Sequence, residues 1–278
     1  MKLERLREIL ARAAGKRIAV AGDLMLDEFV WGKVGRISPE APVPVVEVTG
    51  ETFYPGGAAN VARNLREFID GVSVIGTVGT DDSGRRLLDL LHAHKIATEL
   101  VLEDPDFRTI VKTRIVARHQ QVVRVDREEI RGPAEKQVAQ VTAGLRKILP
   151  ELDAFIFEDY GKGFLGAELV RQISADLNAV GKIATADPNP HRKVDWGKVT
   201  AIKPNRSEAL LAAGFPITDP MDPVMEDAAL LEAGAKLLAT WDSQMLLITL
   251  GEQGMAAGRN ESVPPNGRPQ TARTCCSN

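Results

Sequence analysis

The chain has 278 residues, 44% of them apolar and 26% charged, which suits one large α/β domain with a small appendage and a sizeable core. A net charge of −3 supplies no excess of positive charge to attract nucleic acid phosphates, so no nucleic acid partner is expected. No stretch approaches the roughly 18 consecutive apolar residues of a membrane span, and the two cysteines, Cys275 and Cys276, are adjacent and too strained a pair for a structural disulfide. A reduced cytoplasmic setting without a membrane partner follows.

The chain opens on Leu3, Leu6, Leu10 and Ala13 at helical spacing among charged residues, which predicts a surface helix rather than a targeting segment. From there, short apolar runs alternate with helical patterns, the signature of parallel strands joined by crossover helices. Strands are predicted at 17–21, 72–78, 154–158, 183–186, 201–203 and 246–249, and helices at 58–68, 84–94, 133–149, 167–180, 207–213 and 224–241. Two segments, about 30–50 and 107–127, break the rhythm. Val43 to Val48 follows a proline-rich run, and Thr109 to Asp126 alternates around a predicted hairpin turn at Arg118-His119-Gln120-Gln121. Both read as antiparallel pieces of a small β lid. Domain 1–255 is thus an organised unit, and 256–278, rich in Pro, Gly, Arg and Ser without periodicity, reads as an aberrant, disordered tail.

Several strand ends carry chemistry. Gly22-Asp23-Leu24-Met25-Leu26-Asp27 sets two carboxylates just beyond a buried strand, where ligands bind in open α/β sheets; Asp23 capping a turn and Asp27 in solvent is the plainer alternative. Pro55-Gly56-Gly57-Ala58-Ala59-Asn60 runs into a helix, whose free amides favour anionic or hydroxyl-rich groups. Gly79 to Arg86 imitates a P-loop in its glycine spacing but lacks the Lys and the Ser or Thr, so Asp82-Ser83 is read as a helix start. Glu158-Asp159-Tyr160-Gly161-Lys162-Gly163 either contacts a phosphorylated sugar or forms a surface turn held by Asp159, and Asp187-Pro188-Asn189-Pro190 ends the next strand similarly. In Lys203-Pro204-Asn205-Arg206-Ser207-Glu208, helix capping explains the residue types as well as magnesium-bound phosphate held through water by Asn205 and Glu208 does. Thr249-Leu250-Gly251-Glu252-Gln253-Gly254 supplies glycines against which a nucleotide can lie. The four histidines lack the spacing of a metal site.

These pieces, in this order, resemble the ribokinase-like carbohydrate kinases, also called the PfkB family. The runs Gly22 to Asp27, Arg36-Ile37-Ser38-Pro39-Glu40-Ala41-Pro42-Val43-Pro44-Val45-Val46, Pro55 to Asn60, Arg118 to Gln121 and Glu158 to Gly163 look like the kinase half of the heptose 7-phosphate kinase/adenylyltransferases. The resemblance spans about residues 16–255. It implies a three-layer ribokinase-like sandwich with a mostly parallel central sheet and a β-sheet lid, its C-terminal part missing. It further implies transfer of the ATP γ-phosphoryl group to the anomeric hydroxyl of D-glycero-D-manno-heptose 7-phosphate, for ADP-heptose and lipopolysaccharide synthesis. By analogy, Asp23, Asp27, Gly56, Gly57 and Asn60 hold the sugar, with Lys112, Arg114 and Lys162 as candidates for its phosphate. Asn205, Arg206, Ser207, Glu208, Thr249, Gly251 and Gly254 serve ATP and Mg2+, Glu208 reaching the metal through water. A homodimer through the β lid is the implied partner arrangement.

One departure is serious. The family's Gly-Ala-Gly-Asp loop, which supplies the catalytic base, does not occur in this sequence, so no catalytic residue is assigned. The end reads as truncated or out of frame, and the chain is expected to turn over poorly. The alternatives are a ribokinase-like kinase of another sugar or sugar phosphate, and a catalytically silent remnant that binds ATP or sugar.

Overall fold

The computed structural model describes residues 3–118, 120–196 and 198–260. His119, the tail from 261 and Cys275-Cys276 therefore lie outside the described residues. The chain divides into two compact units after Arg131.

In the first unit the order is α1 (Leu3–Ala14), β1 (Arg17–Gly22), β2 (Leu24–Ile37), β3 (Pro44–Gly57), α2 (Ala58–Arg66), β4 (Gly71–Gly79), α3 (Asp82–Ala93), β5 (Ala97–Asp104), β6 (Ile110–Ala117) and β7 (Gln120–Arg127). β1, β4 and β5 pair in parallel, Ala19 lying opposite Ser73 and Thr77 opposite Leu102. Ala19, Val20, Ala21, Val74, Ile75 and Val78 lose all solvent contact, the pattern of strands covered on both faces. α1 is the amphipathic surface helix the spacing predicts and buries none of its residues.

A second sheet runs in the order β3-β2-β6-β7. It occupies the place expected of the lid, with two differences. β2 starts at Leu24, directly after Asp23, and continues for 14 residues, so the chain folds straight from one strand into the next, ahead of the predicted lid segment at about 30–50. Leu24, Met25 and Leu26 are all buried, which holds that stretch extended. The expectation of purely antiparallel pieces is also corrected, because β2 and β6 pair in parallel, Asp27 opposite Lys112. The chain returns to β6 only after crossing α2, β4, α3 and β5, and such a crossover delivers a strand in the same direction.

α3 begins at Asp82, where Asp82-Ser83 was read as a helix start and two residues before the predicted 84. Asp81 caps the helix, its Oδ1 accepting from Gly84 N at 2.8 Å and from the Thr109 hydroxyl at 2.7 Å while Oδ2 accepts from Thr109 N at 3.0 Å. Thr109, nearly buried, in turn accepts from Gly79 N at 2.9 Å. One carboxylate thereby ties the end of β4, the start of α3 and the entry to β6.

The second unit contains α4 (Glu135–Ile148), β8 (Ala154–Glu158), α5 (Ala167–Ala179), β9 (Ile183–Asp187), β10 (Ala201–Ile202), α6 (Arg206–Ala213), α7 (Ala228–Trp241), β11 (Met245–Thr249) and β12 (Met255–Arg259). β8 to β11 pair in parallel in sequence order, and β12 closes the edge antiparallel to β11. Phe155 and Phe157, two apart and so on one face of β8, pack against each other, and Phe157 against Trp196, whose carbonyl accepts from Ser174 Oγ at 2.8 Å. β12 corrects the expectation that regular structure stops at 256. Its residues 256–258, Ala-Ala-Gly, have low strand propensity, and pairing with β11 overrides it.

Burial raises the Asp81 carboxyl, but its bonds to Thr109 and Gly84 outweigh that and hold it below the usual carboxylate range. An acid depressed in the folded state stabilises above its unfolded pKa, and that stability is lost as pH falls through the folded value. Asp81→Ala should therefore cost about 1–2 kcal/mol at neutral pH. Urea midpoints should show the gap to the parent closing as pH drops below the carboxylate range.

Candidate functional site

In the first unit, the structure gathers most of the predicted sugar-side residues at the β1–β2 junction. Leu24 pairs with Gly57 and Met25 with Gly56, so the glycine turn lies directly beside the Gly22 to Asp27 run. Gly57 has φ +56°, and a Cβ there would stand 2.4 Å from the Asp23 carbonyl oxygen. That closeness lets Ala58 N donate to Asp23 O at 3.1 Å. A Cβ on Gly56 would approach Asp27 Oδ2 to 2.8 Å, so Gly56 leaves room for the Asp27 carboxylate and Gly57 for the Asp23 carbonyl. Gly57 is the N-cap of α2 and no side chain caps that helix, which leaves its start suited to an oxygen-rich ligand; Asn60 lies in the first turn.

Asp27 is the fourth residue of β2, half-buried, and not in a solvated turn. Arg114 Nη1 donates to its Oδ1 at 2.5 Å, and the same guanidinium lies 5.3 Å from the Phe29 ring centre. Tyr54, directly opposite Asp27, meets Phe29 edge-on, and Arg63 of α2 lies 5.7 Å from the Tyr54 ring. Phe29, Tyr54 and Arg63 went unread in the sequence. The signal was available: pleat alternation puts Tyr54 on the face of Asp27. Lys112, opposite Asp27, is bound to Asp126 at 3.1 Å and Glu128 at 2.7 Å, so its charge is already met within the sheet. The reverse face of this sheet carries its own cavity of about 200 Å3, lined by Leu26, Glu28, Phe53, Arg86 and Val111 among others, which alternation separates from Asp27.

In the second unit, the C-terminal ends of β8, β9 and β10 present Glu158, Asp187 and Lys203. Lys203 Nζ binds Asp187 Oδ2 at 2.7 Å. Burial, and secondarily the Asp187 charge, push the Glu158 carboxyl up to about 8 against the pull of Lys203. Asp159 is raised by burial despite Gly161 N at 2.9 Å and Arg192 at 3.0 Å, and its Oδ2 is buried without a hydrogen bond. The alternative of a turn held by Asp159 is thus what forms, with Lys162 between two glycines of positive φ. Asn189 of the Asp187 to Pro190 run, whose side-chain Nδ2 would lie 2.7 Å from a Cβ on Gly161, and Arg192 complete this group; Arg192 was missed because it follows the proline-marked break.

Both readings of the Asn205 run hold locally. Asn205 Oδ1 accepts from Glu208 N at 2.9 Å and Glu208 Oε2 from Asn205 N at 2.7 Å, a reciprocal capping box that uses only one Glu208 oxygen. Asn205 bridges Thr249, whose amide donates to Pro204 O at 3.0 Å, so the two predicted nucleotide segments are adjacent. At Gly251, φ +62°, a Cβ would meet nothing within 4 Å, so the backbone has open space over it. Ser207 is exposed on the first turn of α6, and Gly254 closes the turn by donating to Gly251 O. Arg206 is different: its side chain is 10% exposed and turned inward onto Asp227, Thr218 and Asp219. The expectation that it contacts a nucleotide directly is corrected, since the guanidinium is nearly buried and directed at Thr218, Asp219 and Asp227 rather than at the surface that Asn205 and Glu208 share. Among the described residues, no group of three or more His, Cys, Asp or Glu could hold a metal, and no helix is long and apolar enough to cross a membrane.

With this geometry in view, the sequence was compared with known proteins. The family model described as pfkB family carbohydrate kinase matches residues 16–272. The chain belongs to this family. A Bifunctional protein HldE of Caulobacter vibrioides is 42% identical over 262 residues, covering 93% of this chain and 52% of that protein. One from Desulfatibacillum aliphaticivorans is 40% identical over 240 residues, covering 86% and 48%. The chain thus spans about half the length of the curated relatives it matches. Among solved structures, the tetrameric inhibited form of Escherichia coli phosphofructokinase-2 superposes with TM-score 0.65 at 18% identity, covering 88% of this chain and 77% of that one. A putative ribokinase from Agrobacterium tumefaciens gives 0.63 at 18% identity, covering 88% and 74%. The fold is ribokinase-like, and the chain is a carbohydrate kinase by family.

Glu158 offers a test of the strand-end electrostatics. An acid raised in the folded state stabilises fully below its unfolded pKa, and that contribution is lost as pH rises from about 4.5 to about 8. Glu158→Gln should flatten the decline of the urea midpoint across that window, leaving the variant ahead of the parent at the alkaline end. An unchanged slope would show that Glu158 titrates normally.

Proposed function

We propose that this chain is the kinase half of a heptose 7-phosphate kinase, directing the γ-phosphoryl group of Mg·ATP to the anomeric hydroxyl of D-glycero-D-manno-heptose 7-phosphate. The observation that carries the reading is Asp27, fixed by Arg114 against the Gly56–Gly57 turn and the uncapped start of α2. A carboxylate accepts from sugar hydroxyls, and helix-start amides donate to sugar or phosphate oxygens. The choice of heptose rests on the Ser38 to Val46 run and on relatives that bear the name HldE.

Asn205, Glu208, Thr249 and the Gly251–Gly254 turn would hold the nucleotide. The open space over Gly251 and the Glu208 oxygen outside the capping box support this reading. Glu208 would hold Mg2+ through water, and the metal would supply positive charge to the phosphates. Asp27 orients the acceptor sugar and Arg114 orients Asp27. Asp23, whose carbonyl anchors α2, supports the turn. Lys162 and Arg114 remain candidates for the 7-phosphate, whereas Lys112 would have to leave two carboxylates to join them.

The 278 residues contain no Gly-Ala-Gly-Asp loop, which favours ligand binding with slow turnover by this chain alone. The exposed Ile37, Val43, Val48, Val123 and Val125 of the small sheet and its β2–β3 connection suit a homodimer through that sheet, in the cytoplasm where ATP and sugar phosphates meet.

Calorimetry with heptose 7-phosphate, together with coupled ADP release, tests the reading. The parent chain should bind the sugar phosphate, Asp27→Asn should bind it about tenfold to a hundredfold more weakly, and turnover should fall about 10²- to 10⁴-fold below an intact relative. Preference for another sugar would overturn the substrate assignment, and turnover equal to that of an intact relative would overturn the slow-turnover assignment.

A further inference from the structure

Arg206 sits between Asn205 and Glu208 yet points away from the surface they share. Its Nη2 donates to Asp227 Oδ2 at 2.7 Å, to the Thr218 hydroxyl at 3.0 Å and to Asp219 O at 3.1 Å; Nη1 donates to Thr218 O. Asp227 is itself 3% exposed and caps α7, its Oδ1 accepting from Leu230 N at 3.1 Å. The segment 218–227 is also held from the glycine turn: Gln253 Nε2 donates to Met221 O at 3.0 Å. Two predicted nucleotide elements, the α6 start and the turn after β11, are therefore fastened to one intervening segment from two sides, in addition to the Asn205–Thr249 bridge.

We propose that Arg206 is a positioning residue for the nucleotide: with Asp227 and segment 218–227, and through Met221 and Gln253, it locks the Asn205–Glu208 helix start and the Gly251–Gly254 turn into one frame. The inference rests on the nucleotide assignment above and adds a residue that touches no ligand. A planar fork is needed because several acceptors on separate turns of chain must be met at once, which a lysine ammonium cannot do.

The test titrates Mg·ADP, and ADP in EDTA, into the whole chain by calorimetry, with urea midpoints alongside, for the parent, Arg206→Lys and Gln253→Ala. Arg206→Lys should weaken Mg·ADP about tenfold, the worth of one charge-assisted bond. The loss should be smaller in EDTA, because Glu208 acts on the metal side. Gln253→Ala, which removes one bond from a turn, should weaken Mg·ADP about threefold with an unchanged urea midpoint. If the parent binds no ADP, the nucleotide assignment and this inference fall together. If the parent binds and both variants bind equally well, the inference alone falls. Equal losses with and without Mg2+, accompanied by a lowered midpoint, would make Arg206 a general stabiliser and overturn it too.

Discussion

The contact between Gly57 and the Asp23 carbonyl governs the first unit. Without a Cβ at Gly57, β3 can pass close enough for Ala58 N to reach Asp23 O at 3.1 Å, and that bond places the start of α2 beside the β1–β2 junction. The β2–β3 ladder then carries the geometry outward to Gly56, Asp27 and Tyr54. Because pleat and register are fixed by this one approach, a displaced turn would move the helix start and the carboxylate together. Arg114 adds the charge that keeps Asp27 in place.

The second unit uses different physics. Its strand ends concentrate carboxylates: Asp187 pairs with Lys203, burial raises Asp159 despite Arg192, and Glu158 keeps its proton into the neutral range. Such uncompensated burial is costly to stability and is tolerated where a site needs it. The elements proposed for the nucleotide, by contrast, are tied together by hydrogen bonds, from the capping box to the Arg206 fork, which suits elements that must hold still under a ligand.

Most strands and helices were legible because their periodicities are clean: 154–158 was predicted to the residue, and 58–68 and 167–180 end within two residues of α2 and α5. The full length of β2 was not, because Gly32 and Gly35 and its two bulges interrupt the pattern of a strand of 14 residues. β12 escaped because Ala-Ala-Gly has no strand signal of its own. In the site, the carboxylates and glycines were readable as motifs. Side-chain direction was not: Arg206 inside a surface motif turns inward to Asp227, a partner 21 residues away that no local pattern announces, and Lys112 faces carboxylates contributed by β7 and the residue after it.

The account stands on the claim that the Gly57–Asp23 approach builds a sugar phosphate site. The affinity of Gly57→Ala for heptose 7-phosphate, with ADP affinity as the internal control, tests it most directly. The substituted chain should lose sugar phosphate affinity by about tenfold or more and keep its affinity for ADP, since the strain of φ +56° and a Cβ 2.4 Å from Asp23 O falls on this turn. Undiminished sugar phosphate binding would contradict it.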